Sequence, residues 1–429
     1  VTAPPVLALG RALALIPDGA VVVASPGCGG PTTLLRGLAE IGTPGRVSLY
    51  SGLQLDGYPF LPALAAGALT YTTWHVMGPI RDLVASGAVG YVPARASEIP
   101  GLLDEWSVDV ALVRVSPPAP DGSYSLGPSV SYPLEAVRRA RVVLAEVDPA
   151  LPRTCGDSMV PADAITALVP SETPTPAYRP AVTGAEGTAI AEQVAALLPN
   201  DPVLQVGIGA VPEALVSILA RGGAGSVRFV GMGSDPMVDL FESGVCDRRA
   251  TVPTPAVMAV ELMGTDRLMS FAHQNPAIGL YPSGVGHAPG VLGTVERLVS
   301  VNGAVEIDLL GQVNSEVAGG RQLSGVGGSV DFAESAFRSD GGSRITVLSS
   351  VTSSGRSRIV PRLGTDSVVT VPRSMTDVVV TEYGVARLRG RTLAQRADAL
   401  VAVAHPDHRD RLAGHVGDVL NAALASPER

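Results

Sequence analysis

Lysine is absent from this chain: all 31 basic residues among its 429 are arginine. That excludes a Walker-A phosphate loop, whose Lys reaches the β/γ-phosphates. It excludes a Lys Schiff base, and with it ordinary pyridoxal-phosphate chemistry. A lysyl-anchored biotin or lipoyl group is excluded for the same reason. Positive charge is also in deficit: 40 acidic residues leave a net charge of −9, which argues against non-specific nucleic-acid binding. Cysteine is scarce. Cys28, Cys155 and Cys246 are far apart and form no CxxC, as expected of reduced thiols in a cytoplasmic protein. No apolar run approaches the ~20 residues of a membrane helix, and the first ten residues lack the basic start of a signal peptide. The six histidines form no HExxH, so no metal site is expected. The nucleophile elbow GxSxG of serine hydrolases is missing too.

What is present suits a large folded core. Hydrophobic residues make up 46% and charged residues 17%, and the mean hydropathy is +0.30. The 49 Gly and 36 Pro exceed the roughly 7% and 5% of average usage. Many of them fall in a recurring pattern of strand, Gly-rich turn and helix. The apolar run Ala20–Ser25 leads into Pro26-Gly27-Cys28-Gly29-Gly30-Pro31 and a helical stretch from Thr32 to Ile41. Val203–Val206 leads into Gly207-Ile208-Gly209-Ala210-Val211-Pro212 and a helical stretch from Glu213 to Arg221. A further strand follows each, Arg46–Tyr50 and Ser226–Met232. Two units of matching layout point to a duplicated α/β architecture. Further strands are predicted at Val108–Val115, Arg141–Val147, Arg344–Leu348, Ser367–Val371 and Asp377–Thr381. The proline-rich stretch Pro170–Pro180 reads as a linker and divides the chain into residues 1–185 and 186–429. The segment Thr392–Leu424 reads mostly as helix.

Three places could carry chemistry. The turn at Gly207–Gly209 opens a helix, where backbone N–H groups favour phosphate, carboxylate or a developing oxyanion. Pro212 occupies the third-glycine position of GxGxxG, and such turns also serve plain tight packing. Asp235 falls just beyond the predicted strand ending at Met232, at the sheet edge where open α/β folds bind ligands. An acid there could act as nucleophile or base, or simply cap the helix that begins near Pro236. The Gly-rich stretch 311–342 includes Gly325, Gly327 and Gly328, whose backbone amides could form an oxyanion hole or an ordinary loop.

Longer stretches then carry a resemblance. They are SPPAPDGSYSLGPSV (116–130), VGIGAVPEAL (206–215), DLFESGV (239–245), NPAI (275–278), VNGAVEIDLLGQVNSE (301–316), SGVGGSVDF (324–332), SRIVPRL (357–363), TEYGVARLRG (381–390) and AHPDHRDRL (404–412). In this order they resemble the acetyl-CoA hydrolase/transferase family, the single-chain class I CoA-transferases that include 4-hydroxybutyrate and acetate CoA-transferases. The resemblance implies two similar open α/β domains, Rossmann-like and of CoA-transferase type, with the active site in the cleft between them. It implies coenzyme A as acyl carrier, an acyl-CoA and a small carboxylate as substrates, and a cytoplasmic homodimer using neither metal nor pyridoxal phosphate. A family Glu, within a Thr-Glu pair after the second strand of the C-terminal domain, attacks the acyl-CoA carbonyl. A mixed anhydride and then a glutamyl-CoA thioester follow. The resemblance further implies that Gly207, Ile208, Gly209, Gly325, Gly327 and Gly328 line the thioester site with amides. It places Asn275 near the reacting carboxylates and makes Glu382 a second active-site acid, or else a salt-bridge residue at a strand end.

The chain departs from the family at the Thr-Glu pair. Aligned forward from Phe229, that position reads Ser234-Asp235. Aligned backward from DLFESGV, Asp235 matches a non-catalytic acid and the Glu is missing. An Asp is one methylene shorter, and a misplacement of about 1 Å costs roughly 10²-fold in rate. Three readings remain open: a CoA-transferase working through Asp235 or a nearby acid, a thioester hydrolase or acyltransferase with Asp235 as general base, and a CoA-binding homologue without transferase activity. In each, the cations that hold CoA phosphates are arginines or backbone N–H groups.

Overall fold

The computed structural model describes residues 3–40, 47–179, 183–222, 226–246 and 255–424. Ile41 of the first predicted helix, Arg46 of the strand after it, and Pro180 of the predicted linker lie outside these. The main strands are, in chain order, β1 (Val21–Ala24), β2 (Val47–Ser51), β3 (Leu69–Thr73), β4 (Gly90–Tyr91), β5 (Val110–Val115), β6 (Val142–Val147), β7 (Cys155–Gly156) and β8 (Ala167–Pro170). They continue with β9 (Val203–Val206), β10 (Arg228–Ser234), β11 (Val257–Met263), β12 (Ile278–Leu280), β13 (Leu298–Gly303), β14 (Ser343–Val347), β15 (Val378–Thr381) and β16 (Gly384–Arg387). Five helices bear on the site: α1 (Thr32–Glu40), α2 (Ala210–Gly222), α3 (Pro236–Glu242), α4 (Asp266–Ala272) and α5 (Ser329–Arg338).

The chain forms two compact units, and neither is continuous in sequence. The first contains Val1–Arg179 and Arg228–Ala288, the second Pro180–Val227 and Pro289–Arg429. The chain first passes from one unit to the other at Arg179/Pro180. The return of 228–288 puts Asp235 in the first unit.

In the first unit the sheet order is β8-β6-β5-β1-β2-β3-β4, with every pair parallel. Parallel strands with helices on both faces are read as continuous apolar runs. In β5 every residue is buried. Its one charged member, Arg114, lies opposite Glu146 of β6, at 2.6 Å with both side chains fully buried. Glu146 also accepts the Thr33 N–H at 2.8 Å and the Leu34 N–H at 3.3 Å, which fixes the start of α1. Arg114 reaches onward to the carbonyls of Thr173 and Pro174 at 2.9 and 3.0 Å. The proline-rich stretch read as a linker is therefore fastened to the sheet as far as these residues. The same unit holds the parallel set β10-β11-β12-β7.

In the second unit the order is β16-β15-β14-β13-β9, parallel except for the β15–β16 hairpin. Each unit has its own apolar cluster, one including Leu34, Leu49 and Leu112, the other Leu309, Val379 and Leu400. The α/β class expected from the strand–turn–helix repeats is what the structure has. One predicted strand is not formed. Ser367–Val371 makes only an isolated bridge at Val371 to Val313, and Val368 and Val369 are 40% and 47% exposed. Their β-branched side chains have no sheet to pack on.

Candidate active site

The turn that follows β1 packs against the C-terminal end of β11. Gly27 holds a left-handed φ of +57°. A methyl group placed on it would lie 2.9 Å from Met263 Sδ and 3.9 Å from Glu261 Oε2, so the turn approaches β11 as closely as a bare backbone allows. The segment before α-helical residues 133–139 seals the other side. Ser129 Oγ accepts the Gly29 N–H at 3.1 Å and donates to the Pro26 carbonyl at 3.0 Å. Ser129 also bridges Glu261 across the backbone.

Three ionisable side chains surround this turn. Cys28 is buried, with Sγ 3.6 Å from the Gly264 carbonyl. Burial pushes its thiol up to about 11, with smaller contributions from Glu261 and Asp235, so it is neutral at physiological pH. Glu261 receives a short hydrogen bond from the Ser131 hydroxyl on Oε1. Its Oε2 is buried without a hydrogen-bond partner. Desolvation pushes the carboxyl up to about 8 against the opposing effect of the Ser129 and Ser131 hydroxyls. Asp235 stands at the start of α3, but its side chain does not cap that helix. Instead its two oxygens accept the Thr265 N–H at 3.1 and 3.2 Å, and Thr265 is the N-cap of α4.

The other expected residues fall in both units. Asn275, in the first, donates to the Phe271 carbonyl at 3.1 Å and accepts the Ala277 N–H at 3.1 Å, so it closes the turn between α4 and β12. Gly207, Ile208 and Gly209 connect β9 to α2 in the second unit, partly exposed. The Gly207 N–H belongs to the sheet, donating to the Val301 carbonyl at 3.2 Å. Gly209 has a φ of +131°, and the first-turn amides of α2 face back toward this turn. Gly325, Gly327 and Gly328 precede α5, with Gly327 at a φ of +55°. Glu382 follows β15. It accepts the Ser350 N–H at 3.2 and 2.9 Å on its two oxygens and takes a short bond from the Ser350 hydroxyl. The Ser350 N–H and hydroxyl thus clasp the carboxylate just after β15. Among the described residues no group of three His, Cys, Asp or Glu side chains is placed to hold a metal, and no helix is long and apolar enough to cross a membrane.

Glu261 was not among the expected residues. The signal was available: a single acid inside the apolar run VMAVELM, where an unpaired charge is costly.

Comparison with known proteins gives a consistent result. Residues 9–177 match the acetyl-CoA hydrolase/transferase N-terminal domain, and residues 264–416 match the acetyl-CoA hydrolase/transferase C-terminal domain. Gly207–Gly209, Asp235 and Glu261 fall between the two matches. The 4-hydroxybutyrate coenzyme A transferase of Clostridium kluyveri is 36% identical over 415 residues, covering 94% of this chain and 95% of its own. The butyryl-CoA:acetate CoA-transferase of Anaerostipes caccae is 32% identical over 365 residues, covering 81% and 80%. The crystal structure of RipA from Yersinia pestis superimposes with a TM-score of 0.90 at 28% identity, over 97% of this chain and 98% of that one.

Proposed function

We propose, from the fact that this chain belongs to the acetyl-CoA hydrolase/transferase family, that it moves coenzyme A from an acyl-CoA to a small carboxylate through a covalent enzyme–CoA thioester. At the coarser level the chain is an enzyme of CoA transfer or thioester hydrolysis. The observation that carries the finer reading is the 36% identity, end to end, with a named CoA-transferase.

The proposed chemistry needs one carboxylate of the chain. It attacks the thioester carbonyl, forming a C–O bond as the C–S bond breaks, and CoA leaves as the thiolate. That thiolate attacks the enzyme acyl carbon of the mixed anhydride and expels the donor carboxylate. An acceptor carboxylate then reverses both steps. Backbone amides stabilise each tetrahedral oxyanion. The glycines at 207–209 and 325–328 are proposed for that task, and Glu382, held by Ser350, is proposed as a second acid of the reaction. Asn275 is proposed to hold the shape of the turn after α4. The same reading makes the enzyme a cytoplasmic homodimer, which sedimentation of the purified chain would check.

The test is a two-substrate initial-rate study with short-chain acyl-CoAs and acetate or succinate. Parallel double-reciprocal lines and acyl exchange without net hydrolysis are expected. Release of free acid at the same rate with and without an acceptor would replace transfer by hydrolysis. Binding of CoA with no turnover of any acyl-CoA would leave a binding protein.

A further inference from the structure

Two acids flank the turn that follows β1, and their surroundings differ. The carboxylate of Asp235 is occupied on both oxygens by the Thr265 N–H. It is also wedged against Gly264, where a side chain would come within 2.7 Å of Oδ1. This arrangement ties the end of β10 to the start of α4. Glu261 has the opposite balance. Ser131 fixes Oε1, while Oε2 is enclosed and has no partner. Leaving a buried polar atom unsatisfied destabilises the fold, and such groups call for an explanation beyond folding. The bare backbone of Gly27 faces this oxygen: a methyl group there would lie 3.9 Å from Oε2.

Position supports the same comparison. β11 is the parallel neighbour of β10, with Met232 opposite Glu261 and Ser234 opposite Met263. The register shifts between Gly231 and Met232, and Gly231 has a φ of +93°. Glu261 therefore sits one strand over from the place where the family's acid is expected.

We propose that Glu261, and not Asp235, is the carboxyl group that reacts with the acyl-CoA thioester, with Oε2 as the attacking atom, the Ser131 hydroxyl orienting Oε1 and the backbone bridge to Ser129 holding the strand in place. The inference rests on the CoA-transfer reading above. Ionised Glu261 forms the C–O bond to the acyl carbon, the C–S bond breaks, and its electron pair leaves on CoA sulfur. The thiolate then bonds to Glu261 Cδ and the donor carboxylate departs with the electron pair of the anhydride C–O bond. No proton is consumed over the cycle, but Glu261 must release one to solvent before it attacks. The titratable groups facing it are Cys28 and Tyr132. Burial raises both and keeps both neutral, so neither competes as a nucleophile. Asp235 acts on the same cluster through Cys28.

The experiment uses the full chain, a panel of short-chain acyl-CoAs with acetate as acceptor, and the variants Glu261→Gln and Asp235→Asn. Wild-type enzyme is incubated with acyl-CoA alone and treated with borohydride, which reduces an enzyme thioester to the alcohol. Peptide mass spectrometry then locates the reduced residue. The reduced carboxyl is expected at 261. Glu261→Gln should lose roughly 10³-fold or more in kcat while retaining a cooperative melt, and Asp235→Asn should stay within about tenfold. The wild-type rate should rise with pH through a limb near the raised value of Glu261. A reduced carboxyl at 235 or 382, or a Glu261→Gln enzyme as fast as wild type, would overturn the assignment and leave the transferase reading standing. Wild-type enzyme that exchanges no acyl group and traps no thioester would instead remove the transferase reading itself.

Discussion

Replacing Glu261 by Gln should stabilise the protein, and by an amount that depends on pH. In the unfolded chain the carboxyl ionises at its ordinary value of 4.5, whereas in the folded chain burial holds it protonated to about 8. Between those values the folded state carries one more proton than the unfolded state. Stability therefore falls as pH rises, from no penalty below about 4 to a full penalty above about 8. Each pH unit is worth about 1.4 kcal/mol, so the interval of about 3.5 units sets a ceiling of about 5 kcal/mol. Gln is nearly isosteric, keeps an oxygen for the Ser131 hydroxyl, and does not titrate. The difference between variant and wild type should thus be close to zero at pH 4 and reach several kcal/mol in favour of the variant by pH 8. Urea titrations of both proteins from pH 4 to 9, compared through their midpoints at matched slopes, measure it directly. A difference that stays flat across this range would show that Glu261 is ionised in the folded state, and the picture of an enclosed neutral acid would be wrong.

Other substitutions probe the same framework. Gly27→Ala forces a side chain to within 2.9 Å of Met263 Sδ at a φ of +57°. It should cost about 1–3 kcal/mol in thermal or urea unfolding and slow acyl transfer; an unchanged melting temperature would mean that the turn has room to spare. Arg114→Met leaves the fully buried Glu146 without its cation and should destabilise by about 3–5 kcal/mol. Joint replacement with Glu146→Leu should recover part of that loss, and no recovery in the double variant would contradict the pairing. Cys28, buried and pushed up to about 11, should resist iodoacetamide at pH 7.5 in the native enzyme, while the less buried Cys155 reacts first; mass spectrometry showing the reverse order would place a thiolate at the turn.

How much could be read from the residues differs from element to element, and the reasons are physical. Strands such as Val110–Val115 and Val203–Val206 were legible because burial on both faces favours a largely apolar run. The glycine turns were legible because they stand between such a run and a helix. Ser367–Val371 has the same β-branched composition and forms no strand, because composition does not say whether a partner strand is present. The regrouping of residues 228–288 with the first unit was hidden for a similar reason: it follows from pairings such as Gly279 with Cys155, far apart in sequence. Asp235 was legible by its place at a strand end. Its commitment to Thr265 was not, since that bond spans 30 positions. Glu261 drew no notice although an acid in VMAVELM is itself a signal. Its character comes from Ser131, 130 positions away, and from the missing side chain at residue 27.

The absence of lysine and the state of Glu261 bear on each other. A cation beside a carboxyl lowers its proton affinity, keeps it ionised, and makes it a weaker base and a weaker nucleophile. The groups facing Glu261 are hydroxyls, a thiol and a phenol, none of which supplies positive charge at neutral pH. The acid is therefore held at high proton affinity by desolvation, with the Ser131 hydroxyl on one oxygen to fix its direction. Such a carboxylate, once ionised, is a stronger attacking group than a salt-bridged one, and the folded state is less stable for holding it. Asp235 is arranged differently: its two oxygens share the Thr265 N–H, which turns the carboxylate toward the start of α4. On these grounds the two acids divide the work, with Asp235 maintaining the join between β10 and α4 and Glu261 presenting the free oxygen to the thioester.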